Sequence, residues 1–398
     1  MKKIMVKKKM IILLLSIVGL LITIFATLFI ASGIFTKPEY LEPWQKSYFQ
    51  QFDDPRIQLV AHGMLAANGH NMQPWIIRLD KENSTAFYLY ADSDRLAKEV
   101  DPFARQTMIS QGTFLEYIRV AGVNLGYETN IVLFPNGEYN EQSLAESMKE
   151  KPVAKITLTK VEPKNSSLYD FMFLPDTNRA AYQDVQLTSE QINQLQVINT
   201  DTEMSIKFYQ DEENVIKLGN YVIAGAKIES GISRINEETA DIFRANEYQK
   251  NKYRYGFSFE GQGTSGIMKH IMQGLITIIP SINNEKSSAD IFVKSTQTAA
   301  DNTPAYTMII TKENSRVQQV KAGMLYSRLI LAAHSMGFVL QPPSQVLEEY
   351  AEMEEQYNKI HEEYAPEGGI IQMFIRLGKP TKEALQTMRR DVMDLIED

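Results

Sequence analysis

GTFLEYIRVAGVNLGY, residues Gly112–Tyr127, and GMLYSRLILAAHSMGF, residues Gly323–Phe338, read alike. Aligned without a gap, Gly112 falls on Gly323, Phe114 on Leu325, Ile118 on Leu329 and Val120 on Leu331. Ala121 then falls on Ala332, Leu125 on Met336, Gly126 on Gly337 and Tyr127 on Phe338. The apolar positions recur at helical spacing, and the closing Gly-aromatic pair predicts a C-cap followed by extended chain. Some tens of residues after each comes an apolar, strand-like run ending in proline, AKITLTKVEP and IQMFIRLGKP, a weaker match. Together they predict two related halves, residues 45–165 and 166–398, each mixing helices and strands. A duplicated half reproduces inside one chain what a symmetric dimer makes from two, with a site at the junction. The chain is therefore expected to act as a monomer.

Working outward, 398 residues are enough for two domain-sized units. An apolar fraction of 44% and a charged fraction of 23% are those of an ordinary globular protein. The net charge of −8 argues against nucleic acid as a partner, because phosphate-backbone binding needs a basic face. The N-terminus departs from this average. A basic tail (1–9) precedes an uncharged apolar run from Met10 to Phe35, long enough to cross a bilayer as a helix. The alternative is a cleaved signal peptide with Ala31-Ser32-Gly33 as its small-residue site, but its apolar region would be shorter than this one. Lys2, Lys3, Lys7, Lys8 and Lys9 crowd one flank while Lys37 stands almost alone on the other. The positive-inside rule then keeps the N-terminus cytoplasmic and sends the main domain across the membrane. A short linker (36–44) follows. The absence of cysteine forbids disulfides, thiolate metal sites and cysteine nucleophiles.

The stretch LAANGHNMQPWIIRLD, Leu65–Asp80, packs amides and a ring donor at the mouth of a strand-like run. Such a loop either holds its own backbone or holds a planar, hydrogen-bonding ligand. Asp211–Arg244 reads as helix, with Val215, Leu218, Val222, Ile223 and Ile228 broadly on one face. GQGTSG, Gly261–Gly266, satisfies the dinucleotide-loop pattern and follows a strand-like alternation of Tyr253, Tyr255, Phe257 and Phe259. It sits late, with no βαβ series after it, so a Gly-rich connection or lid is the better reading. The five histidines show no metal-ligand spacing, and no G-x-S-x-G elbow presents a serine. The adjacent Arg389 and Arg390, and Thr177 with Arg179 in DTNRAAY, each admit two readings: a solvated or capping role, or a fork for an anion such as phosphate.

As an ordered set these motifs resemble the nitroreductase superfamily of FMN flavoproteins, most closely its internally duplicated, Acg-like branch. Asn68-Gly69-His70-Asn71-Met72-Gln73-Pro74-Trp75 resembles the family's Ser-Gly-His-Asn-x-Gln-Pro-Trp loop, and DPFARQTMISQGTFLEYIRVAGVNLGYE its Asp-Pro-x-x-Arg stretch with the helix after it. DTNRAAY resembles the Thr-Asn-Arg element, SMGFVLQPPSQ the turn beside the flavin, and FIRLGKP with MRRDV the closing strand and basic tail. The resemblance covers most of residues 55–398. It implies an α+β, nitroreductase-like fold with a mostly antiparallel sheet in each half and one FMN at their junction. Asn68, Gly69 and Asn71 would then lie against the flavin, with Gln73 and Trp75 anchoring the loop. Thr177, Asn178, Arg179, Arg389 and Arg390 would face the ribityl chain and phosphate, and Pro343, Ser344 and Gln345 the isoalloxazine edge. No catalytic side chain and no metal is implied.

Two departures stand out. Pro175 and Asp176 occupy the positions of the family's Arg and His before Thr-Asn-Arg, which removes a phosphate cation and adds a carboxylate. Asn68 replaces the loop's serine. The implied activity is transfer of hydride equivalents through FMN to a nitro or quinone-like acceptor, with NAD(P)H as a candidate reductant although no residue identifies a nicotinamide site. One rival is a non-catalytic protein that sequesters FMN under a lid near 253–266. Another is a degenerate fold that has lost its flavin and serves as an interaction module.

Overall fold

The structure, a computed structural model, describes residues 2–397. Helix α1 (Lys2–Ser32) is followed by α2 (Pro55–Gly63), β1 (Trp75–Leu79), β2 (Ala86–Ala91), α3 (Arg105–Leu125), β3 (Tyr127–Leu133), α4 (Leu144–Glu150) and β4 (Ala154–Lys160). After these come α5 (Ser189–Gln196), β5 (Met204–Tyr209), α6 (Glu212–Ser230), α7 (Ser233–Asp241), α8 (Glu247–Tyr253), α9 (Gly266–Ile278) and α10 (Glu285–Asp301). The chain continues through β6 (Ala305–Thr311), α11 (Arg316–Ser335), β7 (Val339–Gln341), α12 (Glu354–Tyr364), β8 (Ile370–Gly378) and β9 (Ile396–Glu397). The α+β class and the two mostly antiparallel sheets are as expected.

One sheet runs β3-β4-β2-β1-β9 and the other β5-β6-β8-β7. Read from its far end, the second is β7-β8-β6-β5, the same order as β3-β4-β2-β1, and the corresponding pairs are all antiparallel. In each, a long helix intervenes between the second and third strands, α3 in one and α11 in the other. Those are the helices that the alignment pairs, and AKITLTK and IQMFIRL fall on the equivalent strands β4 and β8.

The aligned helices also pack on one another, and their aligned glycines make the crossing. A Cβ at Gly112 would sit 1.8 Å from the carbonyl oxygen of Val320, and one at Gly323 would sit 2.0 Å from that of Ile109. Only glycine lets the backbones approach this closely. Around the crossing, Phe114, Leu115 and Ile118 join Trp75, Phe87 and Ile156 in the first core, while Leu325, Leu329 and Ile330 join Ile309 and Ile375 in the second. A third cluster, with Leu218, Val222 and Phe374, covers the other face of the second sheet, which explains why β6 is buried at all seven positions.

Three local expectations are corrected. Residues 36–44 are not a plain linker: Glu39–Trp44 forms a 3-10 turn that buries Tyr40, Pro43 and Trp44, and the Trp44 indole donates to the Thr387 carbonyl at 2.8 Å. Asp211–Arg244 is not one helix, since α6 stops at Ser230 and α7 resumes at Ser233, with Asn236 donating to the Ser230 carbonyl at 3.0 Å. The aromatic alternation of 253–259 is not a strand. Arg254 and Gly256 have φ of 57° and 88°, and the segment's one ladder contact is a bridge from Phe257 to Phe243. Its rings are spaced to pack on side chains instead: the Arg244 guanidinium lies 4.4 and 4.7 Å from the rings of Tyr253 and Tyr255, and Phe259 meets Phe243 edge-on at 5.2 Å.

Helix α1 is long and apolar enough to cross a membrane. Its face is bare for most of its length, and only its end is seated on the domain, where Leu28 and Ser32 are buried.

Candidate functional site

The loop before β1 is built against backbone preference. His70, Asn71 and Gln73 all have positive φ, near 53°, 53° and 52°. Non-glycine residues hold that conformation only where the surroundings over-determine it, and here they do. Asn68 Oδ1 accepts from the Gln73 amide at 2.7 Å. Asn71 Nδ2 donates to the carbonyls of Gly256 (3.2 Å) and Met388 (3.1 Å), while its Oδ1 accepts from Arg389 at 3.0 Å. Gln73 Nε2 donates to the Arg254 carbonyl at 2.8 Å and its Oε1 accepts from the Arg390 amide at 2.9 Å. From α3, Ser110 Oγ accepts from the Gly69 amide at 3.0 Å, and the Ser110 carbonyl accepts from the Trp75 indole at 2.9 Å. Of the two readings of this loop, the side chains of Asn68, Asn71, Gln73 and Trp75 serve the first: they hold backbone.

The same commitment corrects the reading of the arginine pair. Arg389 is buried, stacks 4.5 Å from the Trp44 ring, and donates to the carbonyls of Leu65 (2.7 Å) and Met388 (2.9 Å). Arg390 donates to the carbonyls of Gln73 and Asp394. Neither guanidinium faces an open site. Asn178 is likewise buried and committed, donating to the Lys382 carbonyl at 2.8 Å.

Arg179 is different. Among the described residues its guanidinium has no hydrogen-bond or ion-pair partner, and the residue as a whole is exposed although its guanidinium is set among protein groups. Burial lowers its pKa, and Arg376, itself positive, adds to this. Arg376 supports the turn from beneath, donating to Thr303 Oγ1 at 2.5 Å and lying 4.3 Å from the Tyr182 ring. Facing Arg179 is His70, whose imidazole is held neutral: burial, then the Arg179 charge, brings its pKa down to about 4.

A run of polar groups leads from the loop toward Arg179. A Cβ on Gly69 would lie 3.5 Å from Gln106 Oε1. Gln106 Nε2 reaches Glu348 Oε1 at 3.4 Å, and Glu348 lies beside Glu229. Glu229 lies near Gln345, beside Ser344, and within electrostatic reach of Arg179. Gly225 on α6 permits this approach, since a Cβ there would sit 2.9 Å from the Val346 amide nitrogen. Burial raises the pKa of both carboxyls, and for Glu348 the neighbouring Glu229 raises it further. The pair therefore retains a proton near neutrality. Sequence reasoning missed His70, Gln106, Glu229 and Glu348; His70 and Gln106 lay within quoted motifs, and the carboxyls stand alone in helical or loop sequence with no spacing to mark them.

Asp176 does not sit beside Arg179 as a competing anion. It turns inward, where the Tyr117 hydroxyl donates to it at 2.5 Å, and burial pushes its pKa up to about 7 against the opposing pull of Tyr117 and Arg389. Asp101 and Arg105 are structural. Asp101 caps α3 at the amides of Gln106 (3.0 Å) and Thr107 (2.9 Å), and Arg105 crosses to the carbonyls of Gln372 (2.7 Å) and Leu347 (2.8 Å). GQGTSG forms turns before α9, with Gly263 and Gly266 at φ of 85° and 61°, and no strand leads into it.

The segment between α8 and α9 closes over the loop. The Gly256 amide donates to the Asn71 carbonyl at 3.0 Å, and Phe257 meets the His70 ring edge-on at 5.2 Å. A remaining hollow under Gly69 and His70, lined by Gln106 and Ser110, measures about 10 Å³, room for about one water. Among the described residues no cluster of side chains could hold a metal ion.

No family model matches the chain, and neither does any curated protein. Among solved structures, the chain is similar to a nitroreductase-like family protein from Bacillus cereus at 12% identity, over 60% of this chain and 98% of that one, with a TM-score of 0.31. It is similar to an FMN-dependent nitroreductase from Mycobacterium smegmatis, solved with NADPH, at 12% identity over 55% and 92% with a TM-score of 0.33. A nitroreductase with bound FMN from Desulfitobacterium hafniense gives 11% identity over 59% and 99%, with a TM-score of 0.30. At these scores the likenesses carry no functional weight.

Proposed function

We propose that the chain is a membrane-anchored, FMN-dependent oxidoreductase of nitroreductase type, its two halves arising from a duplication as in the Acg-like branch. The observation that supports this most is Arg179: an exposed residue whose guanidinium has no hydrogen-bond or ion-pair partner among the described residues and lies within electrostatic reach of His70 and Glu229. Arg179 with the hydroxyl of Thr177 would bind a phosphate, the group a guanidinium fork suits best. Gly69, His70, Pro343, Ser344 and Gln345 would border the ring system, with Asn68, Asn71 and Gln73 acting through the backbone they hold. FMN, when bound, would supply hydride exchange with a reduced donor such as NAD(P)H and with a nitro or quinone-like acceptor. The chain's own part is to bind, to orient, and to hold a proton on the Glu229–Glu348 pair beside the site. In this reading α1 spans the membrane with the N-terminus cytoplasmic and the domain outside, and the duplication makes a second subunit unnecessary.

A second reading, sequestration of FMN without turnover, is favoured by one observation. The segment around Gly256 and Phe257 is bonded shut on the loop through Asn71 and His70.

The visible spectrum of the purified full-length chain in detergent tests both. A yellow protein, or one that takes up added FMN, is expected, with Arg179→Ala weakening uptake. Charge-assisted hydrogen bonds contribute about 1.5–3 kcal/mol, so roughly 10- to 150-fold is expected. Anaerobic NADPH that bleaches the colour supports the oxidoreductase, and persistent yellow supports sequestration. A colourless chain that binds no FMN refutes both.

A further inference from the structure

Helix α9 lies along the end of α1, and the two run antiparallel. Ser32 Oγ meets His270 Nδ1 at 3.2 Å. One turn away Gly274 packs on the backbone of Leu28, where a Cβ would fall 2.3 Å from the Leu28 carbonyl oxygen. At about 1.5 Å of rise per residue, Ile278 comes about level with Ile24. Helix α9 therefore extends back along the apolar run, away from the end of α1 that seats on the domain.

The outward side of α9 is apolar throughout. Ile267 and Met268 at its start, and Ile278, Ile279 and Ile282 at and beyond its end, are exposed, and Ile271, Met272 and Leu275 between them are half-buried. From His270 to Asn284 there is no Lys, Arg, Asp or Glu. The polar side chains along α9 turn inward: Gln273 donates to Glu247 at 3.1 Å, and Thr277 Oγ1 accepts from Asn246 at 3.0 Å. Lys269 closes a balanced cluster at the root of the helix, 3.0 Å from Glu247 and 3.1 Å from Glu260, where buried Lys250 also pairs with both carboxylates. The stripe is continuous with the bare apolar face of α1 at Leu21, Ile24 and Phe25. Contiguous exposed apolar surface of this kind marks an interaction site, and its continuity with α1 says what the partner is.

We propose that α9 and the turn Pro280–Ile282 lie in the outer part of the bilayer beside α1, a second membrane contact that does not span. This rests on the reading of α1 as the spanning helix. Its consequence reaches the site, because α9 begins where the segment covering the loop ends. The bilayer, through α9, then helps to hold Gly256 and Phe257 against Asn71 and His70.

The chain's lack of cysteine makes the test direct. The full-length protein is reconstituted in phosphatidylcholine–phosphatidylglycerol vesicles as single-cysteine variants carrying an environment-sensitive fluorophore. The variants are Ile278→Cys and Ile282→Cys, with Ile17→Cys in α1 and Val197→Cys on the far surface as references. Expected is blue-shifted emission, quenched by nitroxide lipids and not by aqueous iodide, at 278, 282 and 17, and the opposite at 197. Iodide quenching at 278 and 282 with lipid contact at 17 overturns the proposal and leaves the anchor standing. Iodide quenching at 17 removes the anchor and the proposal with it. Labels at 278 and 282 that neither quencher reaches overturn it too, since protein, a second copy included, then covers the stripe.

Discussion

Asp176→Asn should abolish a pH dependence of stability that the native chain carries. The Asp176 carboxyl is buried, with one oxygen on the Tyr117 hydroxyl and the other without a partner, and burial raises its pKa from 3.8 to about 7. Because the folded value lies above the unfolded one, the folded chain holds this proton more tightly. The stabilisation is complete below about pH 4, drains away as pH rises, and is gone above about pH 7. A displacement of roughly three pH units at 1.36 kcal/mol each amounts to about 4 kcal/mol in total. About 2 kcal/mol of that falls between pH 5 and 7, and less than about 0.5 between pH 7 and 8.5. Equilibrium denaturation of the full chain in detergent at pH 5, 7 and 8.5 reads it out. The native chain should lose about 2 kcal/mol more than Asp176→Asn over the first interval and nearly the same over the second. Both proteins carry the other raised carboxyls, including Glu229 and Glu348, so the difference isolates position 176. Parallel profiles would show that Asp176 is ionised in the fold, and the account of a neutral, inward-facing carboxyl would fail.

Two further outcomes follow from the packing. Gly323→Ala places a methyl 2.0 Å from the Ile109 carbonyl oxygen; overpacking at a backbone crossing should cost about 3 kcal/mol, visible as a lowered Tm, and an unchanged Tm would mean that the crossing is looser than described. Lys250→Met leaves Glu247 and Glu260 with Lys269 alone as counter-charge, which should cost about 3–5 kcal/mol at neutral pH. That loss should shrink in acid as the carboxylates take up protons, and a loss independent of pH would point to packing instead of charge.

Much of the frame could be read from residues. The Gly112–Gly323 alignment located the two long helices, because helix-on-helix contact at a single crossing demands glycine on both sides and so leaves a mark at equal positions. Strands β4 and β8 were legible as apolar runs of strand length. The site was less so. Arg389 and Arg390 look like a phosphate fork in sequence, since nothing in one dimension shows that the carbonyls of Leu65, Gln73 and Met388 will be waiting for them. Tyr253–Phe259 has the period of a strand, yet the rings are partitioned between arginine faces and other rings, and two positive φ angles break the ladder. Glu229 and Glu348 meet only through tertiary packing, which no local pattern records.

The loop at Asn68–Trp75 and the backbone that braces it are separated by as many as 317 residues, the span from Gln73 to Arg390, and β9 completes the edge of the first sheet only beside β1. During synthesis the first half therefore leaves the ribosome with its key loop unbraced. The contacts that brace Asn71 on Met388 and Arg389, and Gln73 on Met388 and Arg390, wait for residues 388–390 to arrive. A ribosome that stalls or a protease that trims before that point leaves the loop without these braces and the first sheet without β9.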